Sequence, residues 1–170
     1  VPDLTQRQEA LLKELAPREG LSIGISWMFT DLAHFRRHFN QAKAAIKYAE
    51  GLGLSNEVYY YNGFVYYDLL SNYAGSIPLE HFAHPALTIL KEYDKAKHTE
   101  LYDTLWMFLK CRRKPLQTAK ALSIHRNTLL YRIDRIQKLI GYEFTDINVQ
   151  WALIHSYFID GYLGMKNKGG

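Results

Sequence analysis

Apolar and polar positions alternate along this chain with a period that changes from segment to segment, and each period predicts an element. In LTQRQEALLKELA, Leu4, Leu11, Leu12 and Leu15 fall at roughly helical spacing, and Pro17 with Gly20 closes the pattern. LSIGISW follows with Leu21, Ile23 and Ile25 alternating against small residues, the period of a short strand facing a core. Asp31 stands where an N-cap is needed for a long helix with Leu32, Phe35, Phe39, Ala42, Ile46 and Ala49 on one face, and Gly51 and Gly53 supply its exit. That helix is expected to pack on the sheet. EVYYYNGFVYYDLL admits two readings. Asn62-Gly63 between aromatic runs is a hairpin signal, whereas Phe64, Tyr67, Leu70 and Ala74 mark one face of a helix. The pattern predicts strand, turn and helix, in that order.

Pro78 and Pro85 act as breakers before a short helix over 86–93 and a longer one over 100–111, and a domain boundary is expected at about residue 95. Beyond it the pattern is all helical. Pro115 stops one helix and lets another begin at Leu116, with Ala119, Leu122 and Ile124 as its apolar face and turn. The next helix starts after His125, carries Leu129, Ile133, Ile136 and Ile140 inward, and meets Gly141 where a C-terminal cap belongs. INVQWALIHSYFIDGYL is a last helix with Val149, Leu153 and Tyr157 as core positions. The fold class expected is therefore α+β: a small α/β domain over 1–95, then an all-α domain over 96–165.

Composition narrows the picture further. At 170 residues and 48% apolar, the chain can bury one good core or two small ones. No apolar run approaches membrane-spanning length, and the chain opens on Val1, so it reads as a cytoplasmic portion of something longer. Cys111 is the only cysteine, which excludes an intramolecular disulfide and a multi-cysteine metal site. The net charge of +4 is unevenly spread. Residues 1–100 hold 10 Lys/Arg against 12 Asp/Glu, residues 101–145 hold 9 against 3, and the remainder 2 against 2. A basic block inside a balanced chain is the electrostatic footprint of a nucleic-acid binder.

The block coincides with two helices joined only by Ser123, Ile124 and His125. So short a connection forces a steep crossing, the geometry of a helix-turn-helix whose second helix can lie in the major groove. Ala119 is small enough to let the backbones approach. With the apolar stripe inward, Asn127, Thr128, Tyr131, Asp134, Arg135 and Lys138 face outward. Arg126, Asn127 and Thr128 offer short or forked donors suited to base edges and phosphates. Arg112, Arg113 and Lys114 precede the motif as candidate phosphate contacts. Arg132 lies on the flank of the buried stripe, which favours a phosphate or an intramolecular carboxylate over base reading. His125 is expected to cap the second helix, Lys138 to pair with Asp134, and Tyr131 to pack on the helix pair or reach DNA.

TAKALSIHRNTLLYRIDRIQKLIGYEF resembles the C-terminal helix-turn-helix of the PucR and CdaR (sugar-diacid regulator) family of bacterial transcription regulators. Its core of Ala119, Leu122, Ile124, His125, Arg126, Asn127, Thr128, Leu129, Tyr131 and Arg132 fits the family pattern contiguously, followed by Ile136 and Gly141. More weakly, LSIGIS, FNQAKAAIKYAEGLG, VYYYNGFVYYDLL and LKEYDKAKHTELYDTLWMFL are similar to the degenerate GGDEF-like region that precedes that domain. The resemblance implies a transcription regulator that binds double-stranded DNA, with a small-molecule effector sensed by a further N-terminal domain. One departure is CRRKPLQ, where family members commonly carry an Asn- or Gly-containing turn.

The same residues bear on other functions. Nucleotide-cyclase chemistry needs a glycine-rich phosphate turn beside metal-holding carboxylates, and YYYNGFVYYD offers one Gly and a distant Asp68, so no enzyme is expected. His34 and His38 stand four apart on a helix, but without a third ligand and with Arg36 and Arg37 between them they read as solvent-exposed, and no metal or cofactor is expected. Cys111 reads as a packing residue. The alternative to DNA binding is a non-catalytic signal-relay or dimerisation module whose helical domain makes protein contacts, since VYYYNGFVYY cannot obviously bury all its rings. A homodimer is expected, because one helix-turn-helix covers only a half-site and DNA binding at useful affinity favours a dimer, and the aromatic surface offers an interface for one.

Overall fold

The computed structural model describes residues 5–73 and 75–168, the last without its side chain; Leu4 and Ala74, both assigned to helix faces above, lie outside these. The described residues are mostly helical, with one small parallel sheet, an α+β layout. They divide into two compact units, residues 1–75 with 161–170 and residues 76–160.

In the first unit, helix α1 (Gln6–Arg18) begins with Thr5 and Gln8 capping each other reciprocally, and it runs through Pro17 rather than stopping at it. It buries Ala16, while Leu11 stays exposed. Strands β1 (Ile23–Ile25) and β2 (Val58–Tyr60) pair in parallel with Ile23 opposite Val58, and α2 (Phe35–Gly51) is the crossover between them. The first unit is therefore a βαβ arrangement, not a hairpin. Asp31 caps as expected, but it caps a 3-10 turn over Leu32–His34, and α2 starts one turn later.

The buried face of α2 also departs from expectation. His38, Gln41, Ala45, Tyr48 and Ala49 point inward, whereas Leu32, Phe35 and Phe39 are more than half exposed. Helix and sheet approach closely here: a Cβ on Gly24 would lie 2.1 Å from the Ala42 carbonyl oxygen. After β2 comes a 3-10 turn over Tyr61–Gly63 and then α3 (Val65–Ser71), the strand, turn and helix order read from the pattern. Tyr59, Tyr61, Phe64 and Tyr67 are all buried, so this aromatic run packs the unit instead of leaving its rings at the surface. His38 is buried as well, its ring stacked on Phe29 at 4.3 Å, which corrects the expectation that both histidines face solvent.

The second unit is helical. It holds α4 (Ala86–Lys97), α5 (Leu101–Lys110), α6 (Pro115–Ala121), α7 (Arg126–Ile140) and the first part of α8 (Ile147–Lys168), whose last turns belong to the other unit. One core joins Leu87, Leu90, Leu105, Leu109, Ala119, Leu129, Ile133, Ile136, Ile140, Leu153 and Tyr157. Each large aliphatic side chain withdrawn from water there contributes about 1.5–3 kcal/mol. The expected boundary at 95 falls inside α4, a helix longer than anticipated, and α4 shares this second core through Ala86, Leu87 and Leu90.

Candidate nucleic-acid interface

Two turns set the second and third helices of the basic block. Between α5 and α6 the chain reverses through Arg112 and Arg113, both left-handed with φ of 53° and 58°. CRRKPLQ thus makes with two arginines a turn that Asn or Gly would make at less cost, since other side chains resist that region. Arg113 is also held, donating from Nη1 to the Phe144 carbonyl at 2.7 Å. Arg112 and Lys114 are exposed. Pro115 occupies the first turn of α6, where a missing N–H costs nothing.

Between α6 and α7, the Ile124 amide donates to the Ala119 carbonyl at 3.0 Å and Ser123 takes a left-handed φ of 55°. Ala119 is buried where the two helices meet. His125 caps α7, its Nδ1 accepting from the Asn127 amide at 3.2 Å, and Gly141 closes the helix with φ 76°. Both caps stand where the pattern called for them.

Beyond the buried stripe, the outward side chains of α7 fall into two groups. Arg126, Asn127, Thr128 and Tyr131 are exposed, Tyr131 by 69%, and their side chains make no hydrogen bond or ion pair among the described residues. The others are engaged. Lys138 pairs with Asp134 at 2.7 Å, as the four-residue spacing suggested. Arg132 turns back onto α5: Nη1 and Nη2 each lie 3.1 Å from Glu100 Oε2, and Nη1 also donates to Thr104 Oγ1 at 3.0 Å. Thr104 is fully buried and in turn donates to the Glu100 carbonyl at 2.6 Å. Arg135 takes a neutral partner, with Nε and Nη2 donating to the Tyr93 hydroxyl at 3.1 and 3.0 Å and its guanidinium 5.1 Å from that ring's centre.

Tyr93, Glu100 and Thr104 lie outside the motif, and sequence reasoning missed all three. The flank position of Arg132 was the one signal that a partner was needed. Asp94 fixes the junction they share: its two oxygens accept from the Leu101 and Tyr102 amides at 2.8 Å, neutralising the free start of α5 after the left-handed His98. Cys111, half-buried, ends α5. Among the described residues no group of three or more metal-ligating side chains comes together, and no helix is long and apolar enough to cross a membrane.

Comparison with known proteins bears directly on this surface. Residues 101–154 match the PucR C-terminal helix-turn-helix domain, which takes in α5, α6, α7 and the start of α8. Over 160 residues the chain is 30% identical to the carbohydrate diacid regulator of Escherichia coli, covering 93% of this chain and 41% of that protein. It is also 30% identical over 134 residues to the proline-responsive transcriptional activator PutR of Bacillus subtilis, covering 77% of this chain and 32% of that one. The DNA-binding transcriptional activator AdeR of the same organism is 24% identical over 153 residues, 88% of this chain and 35% of its own. The chain thus spans about a third to two-fifths of the length of these relatives. No solved structure matches it significantly. Its second unit thus carries the PucR C-terminal helix-turn-helix domain, and its similarity to transcription regulators of the PucR/CdaR type extends through both units.

Proposed function

We propose that this chain is the DNA-binding portion of a transcription regulator of the PucR/CdaR type, reading the major groove of double-stranded DNA with α7. One observation carries the reading: a helix capped at both ends and anchored by Leu129, Ile133 and Ile136 leaves Arg126, Asn127 and Thr128 exposed and unengaged at its N-terminal turn. Donors there suit base edges, while Arg135, Arg112 and Lys114 neutralise phosphates around them. Tyr131 supplies an exposed ring on the same side, and Lys138, tied to Asp134, contributes less charge. Arg113 and Arg132 face the backbone with part of their donor capacity already spent within the unit.

The remaining parts follow the family's plan. The first unit acts as a degenerate, non-catalytic GGDEF-like relay, and the second unit, residues 76–160, as the DNA-binding unit. The greater length of the relatives fits a separate effector-sensing domain on the N-terminal side, and a homodimer would set two recognition helices on paired half-sites in the cytoplasm. Sites selected from a random duplex pool supply the test. Asn127→Ala is expected to relax preference at one base position by about 1–3 kcal/mol while binding random duplex nearly as before. Equal losses on selected and random duplexes would remove Asn127 from base reading.

A further inference from the structure

Beside α7 lies a recess of about 410 Å³ walled by the α4–α5 junction, with Tyr93, His98, Thr99 and Glu100 on one side and Thr128, Tyr131, Arg132 and Arg135 on the other. Its two arginines are in opposite states. Arg132 is neutralised by the Glu100 carboxylate, the only acidic side chain lining the recess. Arg135 has no carboxylate partner among the described residues, so its charge is uncompensated, and it rests on a neutral phenol.

The way it rests there is specific. Nε and Nη2 form one edge of the guanidinium, and both donate to the same oxygen, that of Tyr93. The end edge, formed by Nη1 and the second N–H of Nη2, keeps its donors, and two parallel donors on one planar edge fit a phosphate bidentately. The Tyr93 oxygen accepts from Arg135, so its own O–H proton remains to donate. A cation with a fixed orientation and an adjacent hydroxyl donor, next to the exposed Thr128 and Tyr131, are the components of an anion seat.

We propose that this recess seats one phosphate of the DNA backbone flanking the groove read by α7, with Arg135 and Tyr93 as its ligands. Tyr93 acts in two ways, as a hydroxyl donor and as the residue that fixes Arg135. The inference rests on the DNA-binding reading above and adds to it a residue from outside the helix-turn-helix.

Tyr93→Phe tests it, because the ring under Arg135 is retained and only the oxygen is removed. Far-UV circular dichroism and thermal unfolding check that the variant stays folded. Affinity for a selected duplex and for a random duplex is expected to fall alike, about three- to tenfold. The slope of affinity against salt stays unchanged, since no charge is lost, whereas Arg135→Ala lowers that slope by about 0.9. The double variant Tyr93→Phe/Arg135→Ala is expected to lose less than the sum of the two single losses. Wild-type affinity in Tyr93→Phe, or additive losses in the double variant, would overturn the proposal while leaving DNA binding by α7 intact. Failure of the folded wild-type chain to bind any duplex would overturn both.

Discussion

Arg132 and Arg135 are three positions apart on one helix, carry the same charge and do different work. Arg132 ties the middle of α7 to Glu100 and to the buried Thr104 hydroxyl, so removing it breaks an ion pair and a charge-assisted hydrogen bond to a buried oxygen. Arg132→Ala is expected to lower the stability of the folded chain by about 1–3 kcal/mol, read as a lower denaturant midpoint, while changing the salt slope of duplex binding little. A stable variant with a flattened slope would instead make Arg132 a phosphate ligand. The sequence could place both residues on the helix but could not separate their roles. Helical spacing gives the face of a side chain, and the partner that occupies it comes from residues 28 to 42 positions earlier. Where the partner was local, as with His125 capping Asn127 or Asp134 holding Lys138, the residues announced it.

The same contrast holds for elements. α7 was legible from end to end because its cap, stripe and terminal glycine agree with one another. α2 was legible as a helix, but its buried face was not, since large apolar residues at Leu32, Phe35 and Phe39 suggested one side and the geometry of the sheet chose another. Helix and sheet meet through backbone proximity at Gly24, a constraint between two elements that periodicity within one cannot show. Gly24→Ala would drive a methyl group into the Ala42 carbonyl, and a loss of about 1–3 kcal/mol or more is expected. A variant that unfolds at the wild-type midpoint would mean that helix and sheet can separate freely. Likewise the hairpin signal at Asn62-Gly63 was overridden, because β2 found its partner in β1 across the α2 crossover.

For the molecule as a whole, the basic block of the sequence lies on the second unit, and three of its cations, Arg113, Arg132 and Lys138, are already engaged by partners within that unit. The same unit carries a pH dependence. Desolvation lowers the pKa of both His84 and His155 below the ordinary histidine value, and His84 Nδ1 must stay unprotonated to accept from the Ala86 amide at 3.1 Å. With folded-state values below the unfolded ones, the unfolded chain binds protons first. Stability is therefore complete above the ordinary histidine range and declines as pH falls below about 6.5. The melting temperature is expected to drop between pH 7.5 and 5, and to drop less in His84→Asn, which keeps an acceptor at that place. An identical drop in the variant would contradict the role given to His84.

The central claim, that the exposed face of α7 binds duplex DNA, is tested most directly by titrating affinity against salt for the wild-type chain and for an Arg126→Ala/Arg135→Ala variant. The account predicts a steep linear dependence of log affinity on log salt in the wild type and a slope shallower by about 1.8 in the variant. Identical slopes, or no binding by a folded sample at low salt, would contradict it.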